Sequence, residues 1–254
     1  MNPIKVIHTL IHLAVISLII SCSKPLQSVS TNKENIVIGP SEFSKSLPEI
    51  DSLIQPYRIP LQKIMLEVVA VTDAPATKAL PECGLGNLIC DIMLSYSERV
   101  LNKQADIAFY NMGGLRIELP KGDITLSMIF ELVPFENELV TIDVLGKDLD
   151  GLFQQVALKK GGPIAGCTMG ISSKGATNIK VGGNEIEPER TYSIISNDYL
   201  INGGDNYKMP PYTNRQNLKV KFRDAVLEEL KHYKSKNTQL YPKTDGRIYL
   251  LDTP

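Results

Sequence analysis

Histidine is scarce in this 254-residue sequence. Only His8, His12 and His232 occur, and the first two lie in an N-terminal apolar segment. The binuclear metal centre of a phosphatase needs several His, Asp and Asn ligands around two ions. Because one histidine remains after residue 12, we expect no metal ligands and no catalytic residues of that kind on this chain.

Motifs for other catalytic chemistries are also lacking. No G-x-S-x-G segment occurs, and a Ser-His-Asp triad would have to use His232, which lies late in a predicted helix beside Lys231 and Lys234. That setting is typical of an exposed helix end, where a cation is favoured by the helix dipole. Gly84 and Gly86 lack the third glycine of a dinucleotide fingerprint and follow no evident strand.

Charge of one sign is not in excess. Twenty-seven basic residues face twenty-eight acidic ones, for a net charge of −1. A chain that wraps a polyanion carries a basic footprint, so we expect no nucleic-acid partner. With 43% apolar residues the chain is long enough to bury one sizeable core.

The longest apolar run, residues 10–20, is too short to span a bilayer comfortably. It follows Lys5 and ends just before Cys22, as in a bacterial lipobox, where the cysteine is lipidated and becomes the mature N-terminus. A plain secretory signal with an incidental cysteine is the alternative. We therefore predict a lipoprotein signal peptide at 1–22, a flexible polar tether at 23–47 and a folded domain at 48–254.

This signal predicts the location of the protein. A lipid on Cys22 anchors the chain to a membrane of the bacterial cell envelope. The residues that follow, including Lys24 and Pro25, do not form an acidic run associated with surface display. We therefore expect the domain to face the periplasm.

Three further cysteines remain at positions 83, 90 and 167. An odd number cannot all pair within one chain, although an exported protein can form disulfides. If Cys83 and Cys90 share a helix, its rise separates their Cα atoms by roughly 10 Å, beyond bridging distance. We expect buried free thiols.

Hydrophobic periodicity predicts alternating helices and strands. Helices are predicted at 85–101, 125–132, 147–158 and 217–233, with a further helix running into a strand within 53–71. Strands are predicted at 105–110, 138–144, 179–181, 191–196 and 247–250. Asn87 or a neighbour could cap the helix at 85–101. This order predicts an α/β (mixed α+β) fold, with mixed β-sheet layers covered by helices.

Four segments carry a more specific signal together than any one of them does alone. They are ECGLGNLICD (82–91), NMGGLR (111–116), VPFEN (133–137) and NDYLINGGDNY (197–207). In this order and at this spacing they resemble the C-terminal, substrate-binding domain of the 5′-nucleotidase family, which includes periplasmic UDP-sugar hydrolases and animal ecto-5′-nucleotidases. The resemblance covers about residues 60 to 250 and does not include the family's N-terminal metallophosphatase domain.

The resemblance implies a nucleoside site with two stacking aromatics. Phe135 and Tyr199 would sandwich the base, and Asp205 would bond the ribose hydroxyls. Two aromatic rings stack on any base, and a carboxylate accepts hydrogen bonds from a vicinal diol.

The resemblance also implies ligand contacts for the segment at 111–116. Asn111 and Arg116 would face the ligand, and Gly113 and Gly114 would let the main chain come close. Members of the family often carry another arginine before the G-N-L-I segment, where this sequence has Lys78, a point charge that cannot form a fork on a phosphate.

These residues predict recognition without chemistry. The chain would be the nucleoside- or nucleotide-binding part of a split 5′-nucleotidase in nucleotide catabolism. A separate metallophosphatase chain would be its partner and would carry the divalent metals, so that no cofactor is expected on this chain. A stand-alone lipoprotein that captures nucleosides is the alternative, and an interaction protein with a decayed pocket is a weaker one.

Overall fold

A computed structural model describes residues 48–251. The predicted signal peptide at 1–22 with Cys22, and the tether at 23–47, lie outside the described residues. The chain divides into two units, 1–51 and 52–254. Of the first unit only residues 48–51 are described, as the first turn of a helix.

Each described helix contributes buried residues to the core, apart from α1, which has none. In α2 the consecutive residues 84–90 are all buried. They are α1 Pro48–Met65, α2 Gly84–Leu101, α3 Leu126–Leu132, α4 Gly146–Leu158, α5 Asp198–Ile201 and α6 Phe222–Ser235. None of them is both long and apolar enough to cross a lipid bilayer.

The described strands form three sheets. They are β1 Val68–Thr72, β2 Ile107–Phe109, β3 Gly122–Thr125, β4 Glu138–Leu145, β5 Ile164–Ala165, β6 Cys167–Ser172, β7 Gly175–Val181, β8 Asn184–Glu185, β9 Thr191–Asn197, β10 Thr213–Lys221 and β11 Ile248–Leu250. A five-stranded sheet has the order β10-β4-β9-β2-β5, a four-stranded sheet β11-β6-β7-β8, and β1 pairs with β3. Parallel pairs (β2 with β9, β6 with β11) occur among antiparallel ones, so the predicted mixed α/β class is confirmed.

The five-stranded sheet places three loops at one edge. Strands β2 and β9 are parallel, so their carboxyl ends meet at the same edge. Strand β4 is antiparallel to β9, with Leu139 opposite Asn197, so β4 begins where β9 ends. Helix α2 covers this sheet by packing against β2, β5 and β9. The segments that follow Phe109, precede Glu138 and follow Asn197 are thereby neighbours.

Two local predictions are wrong. The helix predicted at 217–233 begins only at Phe222, because residues 213–221 form β10, in which Leu218 and Val220 alternate with exposed residues and the strand pairs with β4. The cap of α2 is Cys83, whose Sγ accepts a hydrogen bond from Gly86 N at 3.2 Å. The side chain of Asn87 instead donates to Glu82 Oε1 at 2.6 Å.

The three cysteines of the described residues, Cys83, Cys90 and Cys167, are buried and free.

Arg247 joins the C-terminal segment to α2. Its Nη1 and Nη2 donate to the two carboxylate oxygens of Asp91 at 2.8 and 3.2 Å, and its Nε and Nη2 donate to Asp245 at 2.9 and 2.7 Å. Nη1 also donates to the carbonyl of Ile164 at 3.0 Å. All five N–H groups of the guanidinium are therefore used.

Glu82 adds to the same connection. One of its carboxylate oxygens accepts from Asp245 N at 2.8 Å and the other from Gly246 N at 3.1 Å. The segment at 82–91 thus holds residues 245–247 in place.

Candidate nucleoside site

A cavity of about 220 Å³ opens at the edge where the three loops meet. It is lined by Asn111, Gly113, Gly114, Phe135, Asn137, Tyr199 and Asp205. Six of the seven predicted ligand-contacting residues are in this set, so the structure brings them together in one cleft. Their roles toward a ligand stay predictions. The volume lies below the usual range of ligand pockets, which run from about 300 Å³ upward.

The two predicted stacking aromatics are half-exposed in this cavity. Phe135 is 45% exposed and Tyr199 43%, whereas Phe109, Tyr110 and Tyr207 are almost fully buried in the core. A role in the hydrophobic core therefore does not explain why aromatic residues stand at positions 135 and 199. Two apolar faces open to one cavity are suited to stacking on a flat ring.

Asp205 is the polar centre of the site. Its Oδ2 accepts from Asn111 Nδ2 at 2.5 Å, and its Oδ1 accepts from the Tyr199 hydroxyl at 2.8 Å. Asp205 N donates back to the same hydroxyl at 3.0 Å. The carboxylate is thus held by Asn111 from the segment after β2 and by Tyr199 from its own segment after β9, and each oxygen keeps acceptor capacity for a ligand hydroxyl.

The backbone around Asp205 adopts the left-handed region. Gly203 has φ 92° and Asp205 itself φ 52°. A Cβ on Gly204 would lie 2.5 Å from the Tyr199 ring, so glycine is required there for the ring to lie flat against the loop. The packing of Tyr199 therefore explains the glycine at 204, and the left-handed backbone explains the glycine at 203.

Gly113 and Gly114 are glycines for different structural reasons. A Cβ on Gly114 would lie 2.5 Å from the hydroxyl of Tyr110, a side chain that is almost fully buried. Burial raises the pKa of that hydroxyl, which stays protonated beneath the turn. A Cβ on Gly113 would meet Asp205 Oδ2 only at 3.5 Å, so this residue leaves the cavity open without a packing requirement.

Arg116 does not line the cavity but lies beside it. Its Nη1 donates to Gly113 O at 3.3 Å, and its guanidinium carbon lies 6.0 Å from the centroid of the Phe135 ring. The side chain is exposed, so its remaining donors face solvent. Lys78 donates its Nζ to the carbonyl of Leu115 at 2.7 Å. The ammonium group of Lys78, which stands where the family often has another arginine, is thus hydrogen-bonded to the backbone.

Sequence reasoning missed Asn137, which lines the cavity beside Phe135. The signal was present, because Asn137 ends the VPFEN segment. The Oδ1 atom of Asn111 is buried and has no hydrogen-bond partner within the described part of the chain. Among residues 48–251, no group of three or more His, Cys, Asp or Glu side chains is placed to hold a metal ion.

Residues 68–211 match the sequence family described as 5′-nucleotidase, C-terminal domain. The trifunctional nucleotide phosphoesterase protein YfkN of Bacillus subtilis is 28% identical over 243 residues, 87% of this chain and 16% of that protein. The 5′-nucleotidase of Vibrio vulnificus is 30% identical over 171 residues, 63% of this chain and 28% of that protein. This chain thus spans less than a third of the length of either relative.

Solved structures show the same fold. The 5′-nucleotidase precursor from Thermus thermophilus superimposes with a TM-score of 0.67 at 24% identity, over 80% of this chain and 43% of that one. The NAD nucleotidase of Haemophilus influenzae gives a TM-score of 0.60 at 19% identity, over 82% and 42%. Taken with the match over 68–211, which covers more than half of the sequence, these findings show that this chain belongs to the family of the 5′-nucleotidase C-terminal domain, typically the substrate-binding part of 5′-nucleotidases.

Proposed function

We propose that this chain binds a nucleoside or nucleotide in the cavity between Phe135 and Tyr199. The observation that carries the proposal is the combination of two half-exposed aromatic rings with one fixed carboxylate in a single cavity. A nucleoside offers the matching groups: a flat aromatic base and a vicinal diol. The base would lie between the two rings and the ribose at Asp205, since all three side chains line the cavity.

Each recognition step follows from a named group. Stacking contributes about 1–3 kcal/mol per aromatic and discriminates little among bases. Asp205 accepts hydrogen bonds from the ribose hydroxyls through oxygens that Asn111 and Tyr199 already orient. Arg116, beside the cavity with free donors, takes a phosphate when one is present.

In this proposal a separate metallophosphatase chain carries out hydrolysis, within nucleotide catabolism. Asp205 is the only acidic residue among those that line the cavity, and its carboxylate is already bonded to Asn111 and Tyr199. The sequence from residue 48 onward contains one histidine, His232, in the last turn of α6. A metal-activated water would therefore be supplied by the partner, and this chain would present the substrate.

The proposed location is the bacterial cell envelope. Lipidation of Cys22 would hold the domain at a membrane, facing the periplasm, where it meets nucleotides outside the cytoplasm. Without a partner enzyme, the same anchored site would serve nucleoside capture, the alternative function.

Removing either aromatic is expected to weaken adenosine binding. Phe135→Ala or Tyr199→Ala takes away one stacking face, so the affinity should fall by about 1–3 kcal/mol, several-fold to about a hundredfold. Isothermal titration calorimetry with the full chain measures this loss. Tyr57→Ala removes an aromatic on α1 that is 76% exposed and lies outside the cavity, so it should leave the affinity unchanged.

A fluorescent variant gives an independent readout. The sequence contains no tryptophan, so Phe135→Trp places a unique indole in the cavity. We expect adenosine to quench this indole saturably. If the wild-type chain gives no binding heat with any nucleoside and the indole is not quenched, the proposed function is wrong.

A further inference from the structure

Phe135 is not held in place by the core. Residues 134–136 are exposed, between Val133, which is 1% exposed, and Leu139, which is fully buried. A side chain that is half-exposed gains little orientation from its own burial. The position of the ring therefore depends on what fixes the backbone on either side of it.

The polar contacts that tether this loop come from the junction between β10 and α6. Arg223 donates through Nη1 to Pro134 O at 3.5 Å and through Nη2 to Glu136 Oε1 at 2.6 Å. Phe222 N donates to Asn137 O at 2.7 Å. The residues immediately before and after Phe135 are thus bound by the same guanidinium.

Arg223 is itself fixed. It is 7% exposed, and its guanidinium carbon lies 4.3 Å from the centroid of the Phe130 ring on α3, the helix that leads into the loop. Lys221 pairs with the other oxygen of Glu136. Hydrogen bonds from Lys221 and Arg223 lower the pKa of the Glu136 carboxyl, which stays ionised and paired at neutral pH.

A second carboxylate relates the loop to the other aromatic. Asp198 Oδ1 accepts from Glu138 N at 3.1 Å and from Tyr199 N at 2.8 Å. One oxygen atom thus ties the start of β4 to the residue that carries the second ring. The loop is thus tethered on both sides of Phe135, by Arg223 at residues 134 and 136 and by Asp198 at Glu138 N.

We propose that Arg223 is a positioning residue that acts through Glu136 and the Pro134 carbonyl to hold Phe135 at the cavity. The clamp formed by Arg223 and Glu136 preorganises the first stacking face, which reduces the ordering cost of binding. Its consequence for affinity rests on the proposed nucleoside binding, but the position of the ring does not.

The test uses the Phe135→Trp chain as a reporter, without and with adenosine. Glu136→Gln and Arg223→Lys are added to it separately. Because Arg223 is almost buried, its lysine variant can lose stability, whereas Glu136→Gln changes one exposed carboxylate and keeps the size of the side chain. Arg99→Lys, which alters an arginine–glutamate pair between α2 and α6 outside the cavity, is the matched control.

We expect both clamp variants to lower the fluorescence anisotropy of the ligand-free indole, and Arg99→Lys to leave it unchanged. The affinity for adenosine should fall by about twofold to tenfold. In a Phe135→Ala background, where no ring remains to be positioned, Glu136→Gln should have no further effect on affinity.

Two results would overturn the clamp. One is an indole anisotropy that neither Glu136→Gln nor Arg223→Lys changes. The other is a loss of affinity on Glu136→Gln that persists in full in the Phe135→Ala background, since the carboxylate would then act without the ring. Failure of all nucleosides to bind overturns the proposed function instead, while the anisotropy without ligand still decides whether the clamp positions residue 135.

Discussion

Arg247→Met is expected to lower the free energy of unfolding by about 2–3 kcal/mol, below the roughly 3–5 kcal/mol found for fully buried ion pairs. The guanidinium side chain is 11% exposed, and its loss leaves Asp91 and Asp245 without their shared partner. The cost is reduced because the side chains of these two acids are 52% and 41% exposed, so that water partly replaces the lost contacts. Urea unfolding followed by circular dichroism measures the change.

Lys180→Met is the control for this prediction. Lys180 and Glu185 form an exposed pair at 3.9 Å, whose loss should cost at most about 1 kcal/mol. Equal destabilisation by both substitutions would contradict the role given to Arg247.

The Arg247 contribution should also depend on pH. A hydrogen bond from Arg247 lowers the pKa of the Asp245 carboxyl in the folded state. This stabilisation is present above the ordinary aspartate pKa, about 4, and is lost as the pH falls through the lowered folded-state pKa. The difference in stability between the parent chain and Arg247→Met should therefore shrink in acid.

Asp205→Asn is expected to reduce the affinity for adenosine by about tenfold to a hundredfold, since hydrogen bonds to charged groups contribute about 1.5–3 kcal/mol. The amide keeps the size of the carboxylate but loses its charge and half of its acceptor capacity toward the diol. A 2′,3′-dideoxy analogue offers no diol, so its affinity should fall much less. Titration calorimetry with both ligands gives the comparison.

An equal loss for both ligands would show that Asp205 acts on the site and not on the ribose. Asp205 could act in that way through its hydrogen bonds to Asn111 Nδ2 and the Tyr199 hydroxyl, which orient two residues of the cavity. The dideoxy analogue thus serves as the internal control for the shape of the cavity.

The sequence predicted the structure best where a local pattern is compatible with a single kind of element or site. The apolar spacing along 85–101 predicts a helix, and α2 spans Gly84–Leu101, although the whole of its segment 84–90 is buried and not one face alone. The convergence of Asn111, Phe135, Tyr199 and Asp205 could be predicted because separate segments each carried part of one recognisable site.

Residues 217–221 were misassigned because their few apolar residues fit both periods. Leu218 and Val220 alternate as in a strand, but they also extend the apolar pattern of the helix that follows. Pairing with β4 decides the structure, and that contact is not visible in the local sequence.

The two arginines that organise the fold could not be identified from spacing. Arg223 meets Glu136 across 87 positions and Arg247 meets Asp91 across 156. Such contacts depend on the tertiary fold. The sequence assigned no role to the segment at 82–91, whose Glu82 and Asp91 bind the C-terminal segment and do not line the cavity.

The central claim, recognition without hydrolysis by this chain, is tested most directly by titrating AMP into the full chain with Mn²⁺ present, in a calorimeter, with phosphate measured afterwards. Phosphomonoester hydrolysis is among the slowest uncatalysed reactions, so turnover needs a metal-activated nucleophile that the described cavity does not offer. The account predicts a saturable binding isotherm that returns to baseline after each injection, with no phosphate released until an exported metallophosphatase is added. Continuous heat and metal-dependent phosphate release by the chain alone, abolished by a point substitution within it, would contradict the account.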